Sequence, residues 1–389
     1  MSNRKMTRDE IRKALDTPAF PGMDKGATLV VSDSGNGMLK TLCHDGRSHI
    51  IPHHVIRLSD KMWAKETARA QYSRTMSGKT QKFSMLNRET KEWENYIIGD
   101  EASNGRQSRR LGSEKYQFGY FQALIVAQLL MYYPEGHDNV ILALAHPPSE
   151  DEHVMRIIKI AGGVHRALTV DGRKVQFVVR QVIPFDEPMG GVAWMNIRTN
   201  GKDTLDEFGR IQLTPGMRIL TIDVGSWLGS IGPAIVNEQG LAVPIWNEYK
   251  PIPQGIINTM EALERELKSE FTEEFRGMST IPHHLLSEAM QTSNIYLSGN
   301  ATPLNVADAV NRACTIVDEI ESIYNNHFQA GRPYRAVFVT GGAIRDMYKP
   351  LKEVIKHSSF HPVDTLSQIV MANCRGGFEI ALSVLEANR

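Results

Sequence analysis

The sequence has few cysteines, no long apolar run and no excess of charge of either sign. Its 389 residues include three cysteines, Cys43, Cys314 and Cys374, without CxxC spacing. A disulfide framework or a structural zinc site is therefore not expected, and the cysteines are interpreted as small buried hydrophobic residues. Lys and Arg together number 44, as do Asp and Glu. This balance argues against direct binding of nucleic acid through bulk charge.

The given sequence also shows no segment with the pattern of a signal peptide or a membrane-spanning helix. No run of about 18 consecutive apolar residues occurs, and the N-terminal MSNRKMTRDEIRKALD lacks the apolar centre of a signal peptide. We therefore expect a cytoplasmic protein without a membrane partner. Single hydrophobic cores stop growing at about 250 to 300 residues. A chain of 389 residues, 41% of them hydrophobic, is expected to form two lobes with a ligand cleft between them.

Alternating strand and helix patterns predict an α/β architecture. Residues 1–26 are a polar N-terminal arm, and the first strand begins at Ala27. The segment from about 60 to 115 has low apolar content and is interpreted as an inserted subdomain. It ends near a basic cluster, interpreted as a solvated face, of Arg106, Arg109 and Arg110. Further along the chain, single helices are predicted over residues 306–328 and 365–386.

Three short glycine-containing segments each follow an apolar strand pattern, and together they predict one nucleotide site. They are Asp33-Ser34-Gly35-Asn36-Gly37-Met38-Leu39-Lys40, Ile222-Asp223-Val224-Gly225-Ser226 and Val339-Thr340-Gly341-Gly342-Ala343. Glycine lets backbone N–H groups approach phosphate oxygens because it has no Cβ. The first segment is followed by a strand pattern and lacks G-x-x-x-x-G-K-[ST], which disfavours a P-loop.

The charged residues of these segments suggest distinct roles. Lys40 can supply a point charge to the phosphates. Asp33, at a strand end, would be repelled by phosphate and is expected to hold the water shell of Mg²⁺ instead. Asp223 repeats the pattern as a second carboxylate at a strand end. Taken singly, each segment also fits an ordinary turn: an Asn-Gly hairpin, a capping aspartate or a strand-to-helix connection.

A fourth segment carries two acidic residues between two prolines. It reads Ile183-Pro184-Phe185-Asp186-Glu187-Pro188-Met189-Gly190-Gly191 and is predicted to be a stiff loop after a strand. A carboxylate held there could position or deprotonate the water that attacks a γ-phosphate. An exposed acidic turn is the alternative. The thirteen histidines, His53-His54 among them, lack metal-ligand spacing, and positions at the surface or at helix ends are predicted for them.

With these segments in this order, the chain resembles the actin-like ATPases and, within them, the ParM-type plasmid-segregation proteins. The resemblance runs from Ala27 to the C-terminus. It rests on the first phosphate segment (33–40), the first connecting segment (182–191), the second phosphate segment (219–226), the adenosine segment (337–343), the second connecting segment (371–378) and residues 96–102. Where the family often has Thr-Thr-Asp or Thr-Asp after the second phosphate turn, this chain has Trp227-Leu228-Gly229-Ser230.

The resemblance implies an actin-like (ribonuclease H-like) α/β fold of two domains with a nucleotide cleft between them. Domain I would span residues 27–215 and be completed by a C-terminal helix at about 365–389, and domain II would span 216–364. ATP, with GTP left open, would bind with Mg²⁺. The residues that would contact the nucleotide are Asp33, Ser34, Gly35, Asn36, Gly37, Lys40, Asp223, Gly225, Ser226, Thr340, Gly341 and Gly342. Asp33 and Asp223 would hold the metal through water, and the catalytic set would be Glu187, Asp186 and Asp223, with Glu187 orienting the water and Asp186 as its rival.

The resemblance further implies an ATPase that polymerises head to tail with nucleotide bound and hydrolyses it to control filament lifetime. Its role would lie in plasmid segregation or intracellular positioning, with a DNA-binding adaptor protein at a centromere-like site as a partner. The alternative, from a different class, is a small-molecule kinase or phosphatase on the same superfamily fold.

Overall fold

A computed structural model describes residues 26–35, 37–70, 79–103, 116–147, 151–200, 213–238, 240–297, 302–329 and 334–387. Predictions for residues 1–25, for Asn36 and for the arginines at 106, 109 and 110 lie outside these ranges. The chain divides into two compact units. The first comprises Met1–Trp194 and Asn373–Arg389, and the second comprises Met195–Ala372.

The first unit contains a nine-stranded mixed sheet. Its strands are β1 (Thr28–Ser34), β2 (Met38–Cys43), β3 (Ser48–Pro52), β4 (Val55–Leu58), β5 (Thr80–Leu86), β6 (Trp93–Gly99), β7 (His137–His146), β8 (Gly163–Thr169) and β9 (Lys174–Asp186). Their order is β3-β2-β1-β7-β9-β8-β5-β6-β4. Because β1 is parallel to β7 and β7 to β9, the carboxyl ends of these three strands meet at one edge of the sheet.

The second unit contains a six-stranded sheet and a small two-stranded one. The strands are β10 (Arg218–Val224), β11 (Gly229–Val236), β12 (Ala242–Pro244), β13 (Lys250–Ile252), β14 (Asn294–Ile295), β15 (Leu304–Asn305), β16 (Ala336–Thr340) and β17 (Phe360–Pro362). The larger sheet has the order β12-β11-β10-β16-β17, with β13 paired to β11. Here β10 is parallel to β16, and β16 to β17.

Helices accompany both sheets. They are α1 (Asp60–Ala70), α2 (Asp100–Ser103), α3 (Phe118–Tyr132), α4 (Asp151–Ala161), α5 (Glu187–Asn200), α6 (Ile256–Glu270), α7 (His283–Thr292), α8 (Ala307–Ala313), α9 (Thr315–His327), α10 (Ile344–Val354) and α11 (Ala372–Ala387), with 3₁₀ turns at Trp246–Glu248 and Ile369–Met371. Helix α3 is apolar on nearly every side and is buried in the core of the first unit. Within the described ranges, no helix combines the length and apolar character needed to cross a membrane.

Three sequence-predicted elements are wrong in their boundaries. Residues 183–191 are not a loop: β9 extends to Asp186 and α5 begins at Glu187, because Pro188 falls in the first helical turn, where its missing N–H removes no hydrogen bond. The predicted helix over 306–328 is two helices separated at Cys314, whose ψ of 38° is not helical. The final helix starts at Ala372, after a 3₁₀ turn.

The two larger sheets share one strand pattern. In the first unit, β2 lies between β3 and β1 and is antiparallel to both, and β7 and β9 follow in parallel. In the second unit, β11 lies in the same way between β12 and β10, and β16 and β17 follow in parallel. The central strands β1 and β10 therefore occupy equivalent positions. Each of the first two glycine segments follows one of these strands.

Candidate functional site

In the first unit, Asp33 and Lys40 face each other across the hairpin of β1 and β2. Nζ of Lys40 lies 2.8 Å from Oδ2 of Asp33, and both residues are buried. Burial alone would lower the pKa of Lys40. The charge of Asp33 and its hydrogen bond, with a smaller contribution from Glu187, nevertheless hold that pKa above its usual value. Lys40 is therefore a buried ammonium group at the strand end.

The turn that joins β1 to β2 is held by His53. Nδ1 of His53 lies 2.7 Å from the carbonyl oxygen of Gly35, and the His53 backbone N–H donates to the carbonyl of Gly37 at 3.0 Å. Since a carbonyl only accepts, Nδ1 carries the proton. Carbonyl oxygens repel anions. Because the carbonyls of this turn are engaged by His53, the N–H groups of the turn are better suited to bind an anion.

The predicted surface position of His53 is wrong, since the residue is 0% exposed. The sequence shows no metal-ligand spacing around His53, and its role at the turn was not predicted. The available signal was the position of His53 directly after a short apolar strand.

The side chain of Ser34 is engaged on the opposite face of β1. Ser32 Oγ donates to Oε1 of Gln128 at 2.6 Å, and Nε2 of Gln128 donates to Ser34 Oγ at 3.1 Å. All three residues are buried. The Ser34 hydroxyl therefore joins β1 to α3, while Asp33 points to the other face because successive strand residues alternate.

Asp186 and Glu187 lie where β9 passes into α5. Asp186 is opposite His146 of β7, with 3.8 Å between Nδ1 of the histidine and Oδ1 of the carboxyl group. Burial raises the pKa of Asp186, and the positive charge of His146 opposes this rise. Burial also raises the pKa of Tyr116 well above its usual value, and the charge of Glu187 raises it further. Since Glu187 also raises the pKa of Lys40, Glu187 lies within electrostatic reach of the Asp33–Lys40 pair.

Helices α5 and α11 cross with their backbones in contact. A Cβ atom on Gly376 would overlap the carbonyl oxygen of Gly190. Farther along the same edge, α11 brings Cys374 against β1: burial, and then the charge of Asp33, raise the pKa of this thiol. The first unit thus assembles its candidate site from the ends of β1, β9 and α11.

In the second unit, Asp223 occupies the position that Asp33 has in the first. It lies opposite Ser230 across the hairpin of β10 and β11, so a hydroxyl stands where the first hairpin has Lys40. The N–H of Gly225 donates to Leu228 at 3.0 Å and closes the turn.

Helix α6 engages the carbonyls of this second turn. The N–H groups of Ile256 and Ile257 donate to the carbonyls of Gly225 and Ser226 at 3.2 and 3.0 Å. These helix N–H groups are used internally and are not free for a ligand. Helix α6 thus acts on the second turn as His53 acts on the first. In each turn, two carbonyl oxygens interact with neighbouring N–H groups.

Gly341 packs against the carboxyl group of Asp223. Thr340 is in register with Asp223, and Gly341 follows with a φ of 97°. A Cβ atom there would lie 2.6 Å from Oδ1 of Asp223 and would overlap the carbonyl oxygen of Val224. At Gly342, in contrast, a Cβ atom would meet nothing within 4 Å. Gly341 therefore has a structural reason to be glycine, whereas Gly342 leaves open space before α10.

Within its own unit, each strand-end aspartate is a carboxylate of the kind that binds a hydrated magnesium ion. Among the residues that the structure describes, no group of three or more His, Cys, Asp and Glu side chains could hold a metal ion. Asp33 and Asp223 are single carboxylates at strand ends. Mg²⁺ usually keeps several waters and is held by one or two carboxylates plus phosphate oxygens. Each of these residues, taken singly, supplies one such carboxylate.

Comparison with solved structures finds actin-like proteins over almost the whole chain. Ta0583, an archaeal actin homolog, gives a TM-score of 0.66 at 17% identity, covering 93% of this chain and 99% of that one. A ParM from a 15-stranded filament of Clostridium botulinum gives 0.63 at 15% identity, with 92% and 99% covered. Bacillus thuringiensis ParM with ATP gives 0.62 at 13% identity, with 94% and 100% covered.

Sequence comparison adds nothing to this result, since neither a protein-family model nor a curated protein matches the chain. At these identities the likeness concerns the fold. It confirms the predicted fold class and the resemblance on which that prediction rests. The chain has the two-domain α/β fold of actin-like proteins.

Proposed function

We propose that the protein is an ATP-dependent, actin-like filament protein that polymerises with nucleotide bound and hydrolyses it to control filament lifetime. One observation carries the proposal. In each unit of an actin-like fold, a buried strand-end aspartate adjoins a glycine turn whose carbonyl groups are taken up by neighbouring N–H groups. The similar structures support it, since Ta0583 was solved with ADP, one ParM with ATP and another as a filament.

The residues of the two turns are assigned to the phosphates. Lys40 supplies a positive charge, and the backbone N–H groups of Gly35 and Gly37 donate to phosphate oxygens. Gly225, whose N–H closes its own turn, is assigned to the second phosphate turn as a residue without a Cβ. The remaining members of the set are Ser34 through its main chain, Asn36, Ser226, Thr340, Gly341 and Gly342. Asp33 and Asp223 would hold the water shell of Mg²⁺ when the ion is bound. ATP supplies the phosphoanhydride bond that is broken, and Mg²⁺ neutralises phosphate charge.

Glu187 is assigned to the attacking water. Its charge acts on Lys40, whereas Asp186 faces His146. A carboxylate in this place orients the water and accepts its proton. Asp186, the rival candidate, is therefore given a supporting role.

Sedimentation tests the proposal. Protein at micromolar concentration is spun with Mg²⁺-ATP, with Mg²⁺-ADP and without nucleotide, and released phosphate is measured in the same samples. We expect a pellet with ATP and phosphate release that follows assembly. A protein that stays in the supernatant with every nucleotide and transfers phosphate to a metabolite would instead be the small-molecule kinase.

For the cargo, we propose DNA reached through an adaptor protein bound at a centromere-like site, in the cytoplasm. The equal numbers of acidic and basic residues disfavour direct contact with DNA. A gel-shift assay with plasmid DNA and the protein alone is expected to show no complex. A shift at physiological salt would contradict this assignment.

A further inference from the structure

Beside the residue assigned to water lies a pair of a buried histidine and a partly exposed aspartate that phosphate and metal binding do not use. His146, the last residue of β7, is 5% exposed. It faces Asp186, the last residue of β9, across neighbouring parallel strands. Nδ1 of His146 lies 2.8 Å from the carbonyl oxygen of Pro147 and therefore carries a proton. Nδ1 also lies 3.8 Å from Oδ1 of Asp186, a contact beyond hydrogen-bond distance.

The pair lies on the face of the sheet opposite the Asp33–Lys40 pair. Ser32 is in register with Leu144, and Leu144 with Pro184. Two residues farther along each strand come Ser34, His146 and Asp186, on the face where Ser34 contacts α3. Because successive residues alternate between faces, Asp33 points the other way. The side chains of His146 and Asp186 thus point to the face of the sheet opposite that of Asp33 and Lys40.

Asp186 connects the strand to the helix. It directly precedes α5, in the position where a carboxylate stabilises the first turn of a helix. Glu187 is the first residue of that turn. The imidazole of His146 also lies against the carboxyl group of Asp186 at the end of β7. The residue before α5 therefore contacts a side chain of the neighbouring strand.

We propose that His146 is a positioning residue for hydrolysis, which holds Asp186 so that the first turn of α5 presents Glu187 in one orientation. This inference rests on the proposed ATPase function. A carboxylate that orients water must be held closely, since a displacement of about 1 Å can cost about a hundredfold in rate. His146 would therefore affect the chemical step and not nucleotide binding.

Two substitutions of His146 separate positioning from packing. His146→Leu fills the space but removes the N–H, and His146→Asn keeps an N–H donor near the place of Nδ1. We expect His146→Leu to lower kcat for phosphate release at least about tenfold, with ATP affinity within about twofold of the unsubstituted protein. His146→Asn should retain kcat within about threefold. His137→Leu, at the opposite end of β7, is the matched control and should leave kcat unchanged.

The outcomes that overturn the inference are distinct from those that overturn the function. The inference is overturned if His146→Leu lowers ATP affinity and leaves kcat normal, or if kcat and affinity are both normal in that variant. It is also overturned if the Leu and Asn variants lower kcat equally. If His146→Leu does not fold, Asp186→Asn decides, because it keeps the shape and replaces the carboxylate that lies against Nδ1 of His146. Reduced kcat in that variant supports the inference, and normal kcat refutes it. No hydrolysis in the unsubstituted protein would reject the proposed function and this inference together.

Discussion

Lys40 and Asp33 form a buried ion pair whose contributions to stability and to ligand binding can be separated. Lys40→Met leaves the Asp33 carboxylate buried without its cation, which costs about 3 to 5 kcal/mol of unfolding free energy. Adding Asp33→Asn removes the unpaired buried carboxylate and should recover most of the lost unfolding free energy. ATP binding should remain impaired in both variants, because both lack the positive charge that Lys40 offers to the phosphates, and the double variant also lacks the Asp33 carboxylate assigned to the metal's water shell.

Urea unfolding and titration with a fluorescent ATP analogue measure the two properties in the same preparations. Restored stability without restored binding is the expected result. If the double variant bound Mg²⁺-ATP like the unsubstituted protein, the functional assignment of both residues would be wrong.

The adjacent glycines Gly341 and Gly342 should respond differently to the same substitution. Gly341→Ala introduces a Cβ against Asp223 at a positive φ, and should cost stability of about 1 to 3 kcal/mol. Gly342→Ala meets open space and should leave stability within about 0.5 kcal/mol. If a nucleotide lies across this turn, Gly342→Ala should still weaken ATP binding, because the new methyl group would occupy its place.

Thermal unfolding and ATP titration test this pair. Normal ATP affinity in Gly342→Ala would show that no part of the nucleotide approaches Gly342.

His165 should make the fold sensitive to acid. It is 0% exposed, Nε2 lies 2.8 Å from the carbonyl oxygen of Ala161, and burial lowers its pKa to about 4. The unfolded chain, with a pKa near the usual 6.5, therefore binds more protons than the folded one between these values. The neutral imidazole contributes up to about 3 kcal/mol of stability. This contribution is complete above about pH 6.5 and is lost as the pH falls toward about 4.

Urea unfolding at a series of pH values measures this effect. His165→Gln should unfold with a shallower dependence on pH over that window. The histidines His49, His137 and His361 also have lowered pKa values, but they contribute to both proteins and cancel in the difference. Equal slopes would contradict the assignment to His165.

Helices α5 and α11 cross so closely that a side chain added at Gly376 has no room. Gly376 leaves no room for a side chain because the carbonyl oxygen of Gly190 occupies that place. Gly376→Ala should force the helices apart and lower the unfolding free energy by about 3 kcal/mol or more. Thermal unfolding measures this loss. Gly342→Ala, the same substitution in open space, is the control, and equal melting temperatures would refute the close crossing.

Several helix and strand boundaries show what local pattern could and could not predict. The apolar run before Asp33 and the one before Asp223 are strands as predicted, because each pattern is long enough to fill a buried central strand. The prolines around Asp186 and Glu187 suggested a loop. In the structure, pairing with β7 extends β9 to Asp186. Tertiary pairing therefore overrode a local signal.

For the protein as a whole, hydrolysis should be separable from assembly. Glu187→Gln keeps the size and the helix start but removes the base. Phosphate release should slow by about a hundredfold or more, while ATP-induced pelleting persists and the filaments live longer. Asp223→Ala should instead weaken Mg²⁺-ATP binding and pelleting together, because it removes a ligand of the hydrated ion.

Phosphate release and pelleting over time check these expectations. Normal hydrolysis by Glu187→Gln would move the role to Asp186 or out of this junction. Unchanged nucleotide affinity in Asp223→Ala would contradict its role at the metal.

The equivalence of the two units was not visible along the chain. The sequence has no repeat that relates the segment around Asp33 to the segment around Asp223. The shared strand pattern nevertheless places β1 and β10 in equivalent positions, with Lys40 opposite one aspartate and Ser230 opposite the other. The order and direction of the strands in a sheet depend on which residues are buried and paired. Many different sequences can form the same arrangement.

The sequence by itself determined the α/β class, the strand-end aspartates, the glycine turns and their order, because strand period, glycine and charge are local properties. Only the tertiary structure decided what surrounds them. It buried His53 beneath the first turn and gave Gly341 a packing role against Asp223. It also placed His146 beside Asp186. These contacts join residues that are distant in sequence, and chain pairing in space, not residue type, brings them together.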